Sequence, residues 1–165
     1  MEIKELNLAD EHTVTAVAHL YCRVFSEPPW NEVWQLSSAL EVVQKPALRW
    51  WTMRHNHNLI GFTAGAVATA DTIAQNFDIP HKLLTGNRIG YLSEVGVNPV
   101  YRRSGFAREL SNTLLAHFRA ANVDQFVVRT RPGTGNFGWY SRQLNNLYTY
   151  PDGRVIFGQR GVPTL

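Results

Sequence analysis

Arg102, Gly105 and Ala107 stand in the spacing Arg-x-x-Gly-x-Ala where an apolar segment gives way to a long amphipathic one. At a helix start the first backbone N–H groups have no partner inside the helix, and the macrodipole places partial positive charge there. Gly105 has no side chain to keep a ligand off that backbone, and Arg102 and Arg103 add two cations. The chemistry this predicts is the binding of a phosphate-bearing ligand, held largely through backbone N–H groups. The stretch is not a Walker phosphate loop, because no Gly-Lys-Ser/Thr follows. It also lacks the Gly-x-Gly-x-x-Gly of dinucleotide folds. Solvated arginines at an ordinary helix start would show the same short motif, so the surrounding elements must decide.

Those elements read as a strand–turn–helix unit. Leu92, Val95 and Val97 lie in an apolar strand predicted over 89–97, Asn98-Pro99 breaks it, and a helix is predicted over 103–121. Upstream, alternation over 2–7 predicts a strand. A helix opening at Ala9-Asp10 carries the stripe Val14, Val17, Leu20, Tyr21 and Val24, and Ser26-Glu-Pro-Pro-Trp30 stops it. A second helix is predicted over 32–44. Segments 48–55 and 58–69 read as a hairpin around His55-Asn-His-Asn58. Residues 70–88 read as an irregular insertion with a short helix near 72–75. A strand over 125–130, a helix over 136–145 and a strand over 155–159 complete the order. The fold class this implies is mixed α/β with helices on both faces of the sheet, in a single domain over 1–165.

The run Val97-Asn-Pro-Val-Tyr-Arg-Arg-Ser-Gly-Phe-Ala107 resembles the coenzyme A site of the GNAT acetyltransferase superfamily, whose motif is Gln/Arg-x-x-Gly-x-Gly/Ala after a strand ending in Val. The resemblance is specific over about residues 89–131. It implies a central sheet splayed apart where the cofactor enters, and acetyl-CoA as cosubstrate. It also implies pyrophosphate contacts from Arg102, Arg103, Ser104, Gly105, Phe106 and Ala107. The backbone of Val95, Gly96 and Val97 would pair with the pantetheine arm as a neighbouring strand would, and Gly96 suits a bulge aiming an N–H at the thioester oxygen.

Transfer to an amine with a pKa of about 10.4 requires removal of a proton, stabilisation of an oxyanion and protonation of the departing thiolate. Glu94 is the one carboxylate in the strand beside the implied thioester, and the resemblance offers it as base, directly or through water. A salt-bridged glutamate fits the same residue. Trp139-Tyr-Ser-Arg-Gln-Leu144 resembles the family helix whose tyrosine reaches the coenzyme sulfur, which makes Tyr140 the acid, with Tyr148 in reserve and a buried structural tyrosine as the other reading. Asn136 is implied as a further cofactor contact, four residues before Tyr140 rather than the family's usual seven. Trp30 and Glu27 fall in the inter-helix region that lines the family's acceptor site, with Glu32 beside them. The other tryptophans read as core.

Composition bounds this picture. The chain has 165 residues and 44% hydrophobic residues, enough for one domain. Thirteen arginines stand against three lysines, a choice that suits phosphate and carboxylate recognition. Net charge is only +3, too small and scattered to argue for nucleic acid, tRNA excepted. Cys22 is the sole cysteine, so no intrachain disulfide and no cysteine-based zinc site can form. It reads as a core residue. His55-Asn-His57 alone is a weak metal signal, and no metal is expected. The expectation is a cytoplasmic, soluble N-acetyltransferase, monomer or homodimer, with no membrane partner. It would act on a small-molecule or peptide amine by direct transfer in a ternary complex. Two alternatives remain: a catalytically inactive CoA-binding regulatory module, and a toxin-like acetyltransferase of aminoacyl-tRNA.

Overall fold

The computed structural model describes residues 1–165. In chain order the elements are β1 (Glu2–Glu5), α1 (Glu11–Ser26), α2 (Leu36–Val43), β2 (Arg49–His55), β3 (Asn58–Ala68), α3 (Ala70–Phe77), β4 (Ile89–Val97), α4 (Phe106–Ala120), β5 (Gln125–Thr130), α5 (Phe137–Gln143), β6 (Asn145–Thr149) and β7 (Val155–Arg160). The seven strands are hydrogen-bonded in the order β1-β2-β3-β4-β5-β7-β6. The class is mixed α/β, as the sequence predicts. No helix is long and apolar enough to cross a membrane. The chain forms two compact units, one of residues 1–65, 94–114 and 165, the other of 66–93 and 115–164.

In the first unit β1 pairs antiparallel with β2, and β2 with β3. The β2–β3 turn places Asn56 and His57 at φ 48° and 66°. Positive φ at both central residues gives a turn whose twist matches that of the flanking strands, and Asn tolerates it. Helix α1 begins at Asp10, whose side chain accepts from the Thr13 N–H, and it buries Val14, Val17, Tyr21, Val24 and Phe25. Tyr21 packs on Phe25, Trp34, Trp50 and Phe62 with ring centroids 4.5–6.4 Å apart. Cys22 is half-buried beside this cluster rather than in the core. It sits one position off the apolar stripe.

Helix α2 starts at Leu36, four residues later than the pattern predicts. Residues ahead of it are held in a different backbone. Asn31 has φ 50°, and the Glu32 N–H donates 2.8 Å to the Phe25 carbonyl.

In the second unit β4 and β5 run parallel from Ile89–Gln125 to Leu92–Val128. β7 pairs antiparallel with both β5 and β6. That ladder ends at Leu92, two residues before Glu94. The insertion is more regular than predicted: Thr69 caps α3 by accepting from the Thr72 N–H, and a 3₁₀ turn covers His81–Leu83. Strand β6 goes unpredicted, because four of its five residues are exposed and leave no alternating apolar pattern.

Candidate active site

The turn after β4 is built by short-range bonds. The Asn98 side chain accepts from the Val100 N–H, and Pro99–Tyr101 forms one 3₁₀ turn. Arg103 and Gly105 then take left-handed conformations, φ 63° and 79°. These two residues displace the helix start from the predicted Arg103 to Phe106, since an α-helix cannot pass through them. The Gly105 carbonyl accepts the first helical bond, from the Glu109 N–H at 3.1 Å. Gly105 is therefore the cap residue, and it has no side chain to occupy the N–H groups of the first turn. A Cβ placed on Gly105 would find no atom within 4 Å. The left-handed turns beside it give the backbone the concave form that receives anions.

The same helix is seated from below. Leu110, Val97, Met53 and Ile60 form a buried cluster on which Tyr101, Phe106 and Ala107 pack. Gly61 makes that approach possible, because a Cβ there would lie 2.9 Å from a Leu110 methyl. Phe106 and Ala107 thus fix the first turn by their side chains, while Arg102, Arg103, Ser104 and Gly105 are exposed.

Along β4, Glu94 and Val95 are half-buried, and the Glu94 carbonyl accepts from the Thr63 hydroxyl at 3.0 Å. Gly96 lies under Phe62, whose ring a Cβ would meet at 2.3 Å. The structure thus gives Gly96 a packing reason that the sequence did not suggest. Phe62 belongs to the Tyr21 aromatic cluster, so this cluster reaches β4 at the residue next to Val95 and Val97.

Arg102 is placed differently from Arg103. Its guanidinium reaches the carbonyls of Val97, Pro28 and Val24. Those last two carbonyls belong to the end of α1 and the α1–α2 connection, where Trp30 and Glu27 lie. Glu27 is exposed, and its carbonyl accepts from the N–H groups of Trp30 and Asn31. Trp30 is half-buried with its ring edge-on to Phe25, centroids 5.4 Å apart. Glu32 is the better-held carboxylate of the connection, accepting from the Trp34 indole N–H at 2.9 Å. The sequence carries a signal for Glu32 that Glu27 lacks, an indole two residues on.

Tyr140 and Asn136 belong to the second unit. Tyr140 is 3% exposed and packs with Trp139 and Phe157. Burial pushes its phenol well above the usual range, and a hydrogen bond with the Asn136 side chain acts in the opposite direction. Asn136, expected at the cofactor, is thereby engaged with the tyrosine. Tyr148 stands on β6 at 36% exposure, with its ring edge-on to Tyr150.

The family model "Acetyltransferase (GNAT) family" matches residues 14–143. No curated protein matches the chain by sequence. Among solved structures, the ribosomal-protein-S18-alanine N-acetyltransferase of Escherichia coli is 17% identical with TM-score 0.66, over 99% of this chain and 95% of that one. An aminoglycoside 6'-acetyltransferase type Ii is 12% identical with TM-score 0.68, each chain covered fully. The PaiA N-acetyltransferase from Thermoplasma acidophilum, solved in complex with coenzyme A, is 10% identical with TM-score 0.65, over 97% and 99% of the two chains. At these identities the likeness is one of fold.

Proposed function

The chain belongs to the GNAT acetyltransferase family, and from that premise we propose that it transfers an acetyl group from acetyl-CoA to a primary amine, directly within a ternary complex. The observation that carries this reading is the start of α4, where a side-chain-free cap residue leaves the space over the first N–H groups open. A diphosphate fits such a place by charge and by donor geometry. The backbone of 103–107 and the Arg103 guanidinium would hold it, and the backbone of Val95, Gly96 and Val97 would hold the pantetheine amides.

Acetyl-CoA would supply the acetyl group as a thioester: the amine nitrogen bonds to its carbonyl carbon, the C–S bond breaks, and coenzyme A leaves as the thiol. Glu94 takes the proton from the acceptor ammonium, directly or through a water, so that the nitrogen gains its lone pair. An N–H of the Val95–Val97 stretch faces the developing oxyanion. Tyr140 stays a neutral phenol through the physiological range, because burial raises its pKa, and its hydroxyl gives a proton to the departing sulfur. Cys22 is no acyl carrier in this scheme: partial burial raises its thiol pKa, which keeps it from being a thiolate near neutral pH. Trp30 and Glu27, with Glu32, form a wall suited to a cationic amine, from a small molecule or a peptide. The protein would work in the cytoplasm as monomer or homodimer.

Free-thiol release from acetyl-CoA over a panel of aminoglycosides, polyamines and peptides with free N-termini tests the reading. Tyr140→Phe should then lower turnover on the order of 10²-fold, about 2.7 kcal/mol, with cofactor affinity unchanged. Normal turnover in that variant would remove Tyr140 from the chemistry. Coenzyme A binding without thiol release from any amine would make the chain a regulatory binding module.

A further inference from the structure

Arg102 carries a consequence that the loop motif alone does not contain. Its backbone N–H is bonded to the Pro99 carbonyl at 3.3 Å, which roots the residue in the turn before α4. Its side chain points the other way along the molecule. Nε donates to the Val97 carbonyl at 3.4 Å, Nη1 to the Pro28 carbonyl at 3.4 Å and Nη2 to the Val24 carbonyl at 3.3 Å. Val24 lies in the last turn of α1, whose final four carbonyls have no partner inside the helix and sit at the negative end of its dipole. A guanidinium is the side chain best shaped to serve several such carbonyls at once, because its donors form a rigid planar fork. Arg102 therefore caps α1 from a distant part of the chain, and it grips the connection that follows.

What it grips is a chain of bonds leading to the acceptor wall. Beyond Val24, the Phe25 carbonyl accepts from the Glu32 N–H at 2.8 Å, and the Glu27 carbonyl accepts from the Trp30 N–H at 3.1 Å. Glu32 in turn holds the Trp34 indole. The adjoining residue, Val33, is 91% exposed.

We propose that Arg102 is a positioning residue that couples the two substrates: the loop it stands in takes the pyrophosphate, and its guanidinium sets the α1–α2 connection that receives the amine. The proposal rests on the reading of residues 103–107 as the pyrophosphate site. An anion settling on those N–H groups fixes the backbone next to Arg102. That fixes the fork, and the carbonyls of Val24 and Pro28 with it. Order gained in the connection is then no longer lost when the amine binds, so the two ligands favour each other.

Amide hydrogen exchange on the full chain tests this, with and without saturating coenzyme A, in wild type, Arg102→Ala and Arg102→Lys. In wild type, coenzyme A should slow exchange over residues 24–35 by about fivefold or more. Arg102→Ala should lose that slowing while calorimetry shows coenzyme A affinity within about threefold of wild type. Arg102→Lys, which keeps the charge without the fork, should fall between them, and it serves should the alanine variant fail to fold. A clamp with no coupling role would raise exchange in Arg102→Ala yet leave the coenzyme-induced slowing intact, and that result overturns the proposal. So does a tenfold loss of coenzyme A affinity in Arg102→Ala, which would make Arg102 a phosphate ligand. Wild-type protein that binds no coenzyme A would instead remove the pyrophosphate reading itself, and the coupling with it.

Discussion

Helices α1 and α4 begin in the same unit by two opposite arrangements. At α1 the cap residue is Asp10, whose carboxylate accepts from the Thr13 N–H at 3.1 Å and the Thr13 hydroxyl at 2.6 Å. At α4 the cap residue is Gly105, preceded by a left-handed Arg103. The first helix supplies its own anion to its own N-terminus, and so it is finished as a structural element. The second leaves its first N–H groups without a side-chain acceptor, and it uses a residue type that loses the most backbone freedom on folding and a non-glycine residue in a disfavoured region. The difference separates a helix start closed by its own side chain from one left open, which is what the proposed pyrophosphate site requires. Lack of a cap alone does not make the distinction. Asn136 at the start of α5 also caps nothing, because its side chain is engaged with Tyr140.

The largest effect is expected from giving α4 the arrangement of α1. Gly105→Asp places a carboxylate at the cap, and Asp tolerates a left-handed φ better than branched residues do. Its charge should cost coenzyme A affinity on the order of 10²-fold or more, about 2.7 kcal/mol by calorimetry, in a protein that still folds. Affinity equal to wild type would show that no phosphate sits on this helix.

A smaller effect is expected from Arg103→Gly, which sharpens the trade between strain and binding. Removing the left-handed penalty should raise Tm by about 2–4 °C. Loss of the cation should weaken coenzyme A binding about fivefold to tenfold. A variant no more stable than wild type would show that Arg103 carries no strain worth relieving.

The smallest effect belongs to Asp10→Ala, the control end of the comparison. Tm should fall by about 2–4 °C and coenzyme A affinity should not move. The Thr13 hydroxyl, then its backbone N–H, hold the Asp10 carboxyl below its ordinary pKa. A depressed carboxyl contributes stability above its unfolded value, about 3.9, and loses it as pH falls through the folded one. The Tm gap between wild type and Asp10→Ala should therefore be full at pH 7 and close below about pH 4. A gap that persists in acid would assign Asp10 a role other than charge-assisted capping.

Much of the frame was legible because its signals are local. Strands β4 and β5 fall on the predicted residues, since buried strands in this sheet read as continuous apolar runs bounded by breakers. The strand–turn–helix unit around Arg102, Gly105 and Ala107 was legible for the same reason, since Asn98-Pro99 and Gly105 mark the break within a few residues. Strand β6 was hidden because an exposed edge needs no hydrophobic pattern, and β7 supplies its partner later in the chain. The start of α2 was misplaced because the Glu32 N–H is bonded back to the Phe25 carbonyl, which holds the chain ahead of Leu36 outside the helix.

The chain's own order of residues determined the class of fold, the place of the glycine turn before α4 and the kinds of side chain that surround it. Tertiary structure alone decided which of those side chains are already engaged. Arg102 and Arg103 are neighbours of one type, and no local rule separates them. Only the folded chain brings the Val24 and Pro28 carbonyls, 78 and 74 residues away, to the first and not to the second. The physical reason is range: helix caps and turn conformations are settled among adjacent residues. A guanidinium, by contrast, is committed by whichever distant unpaired carbonyls the packing of α1 delivers to it.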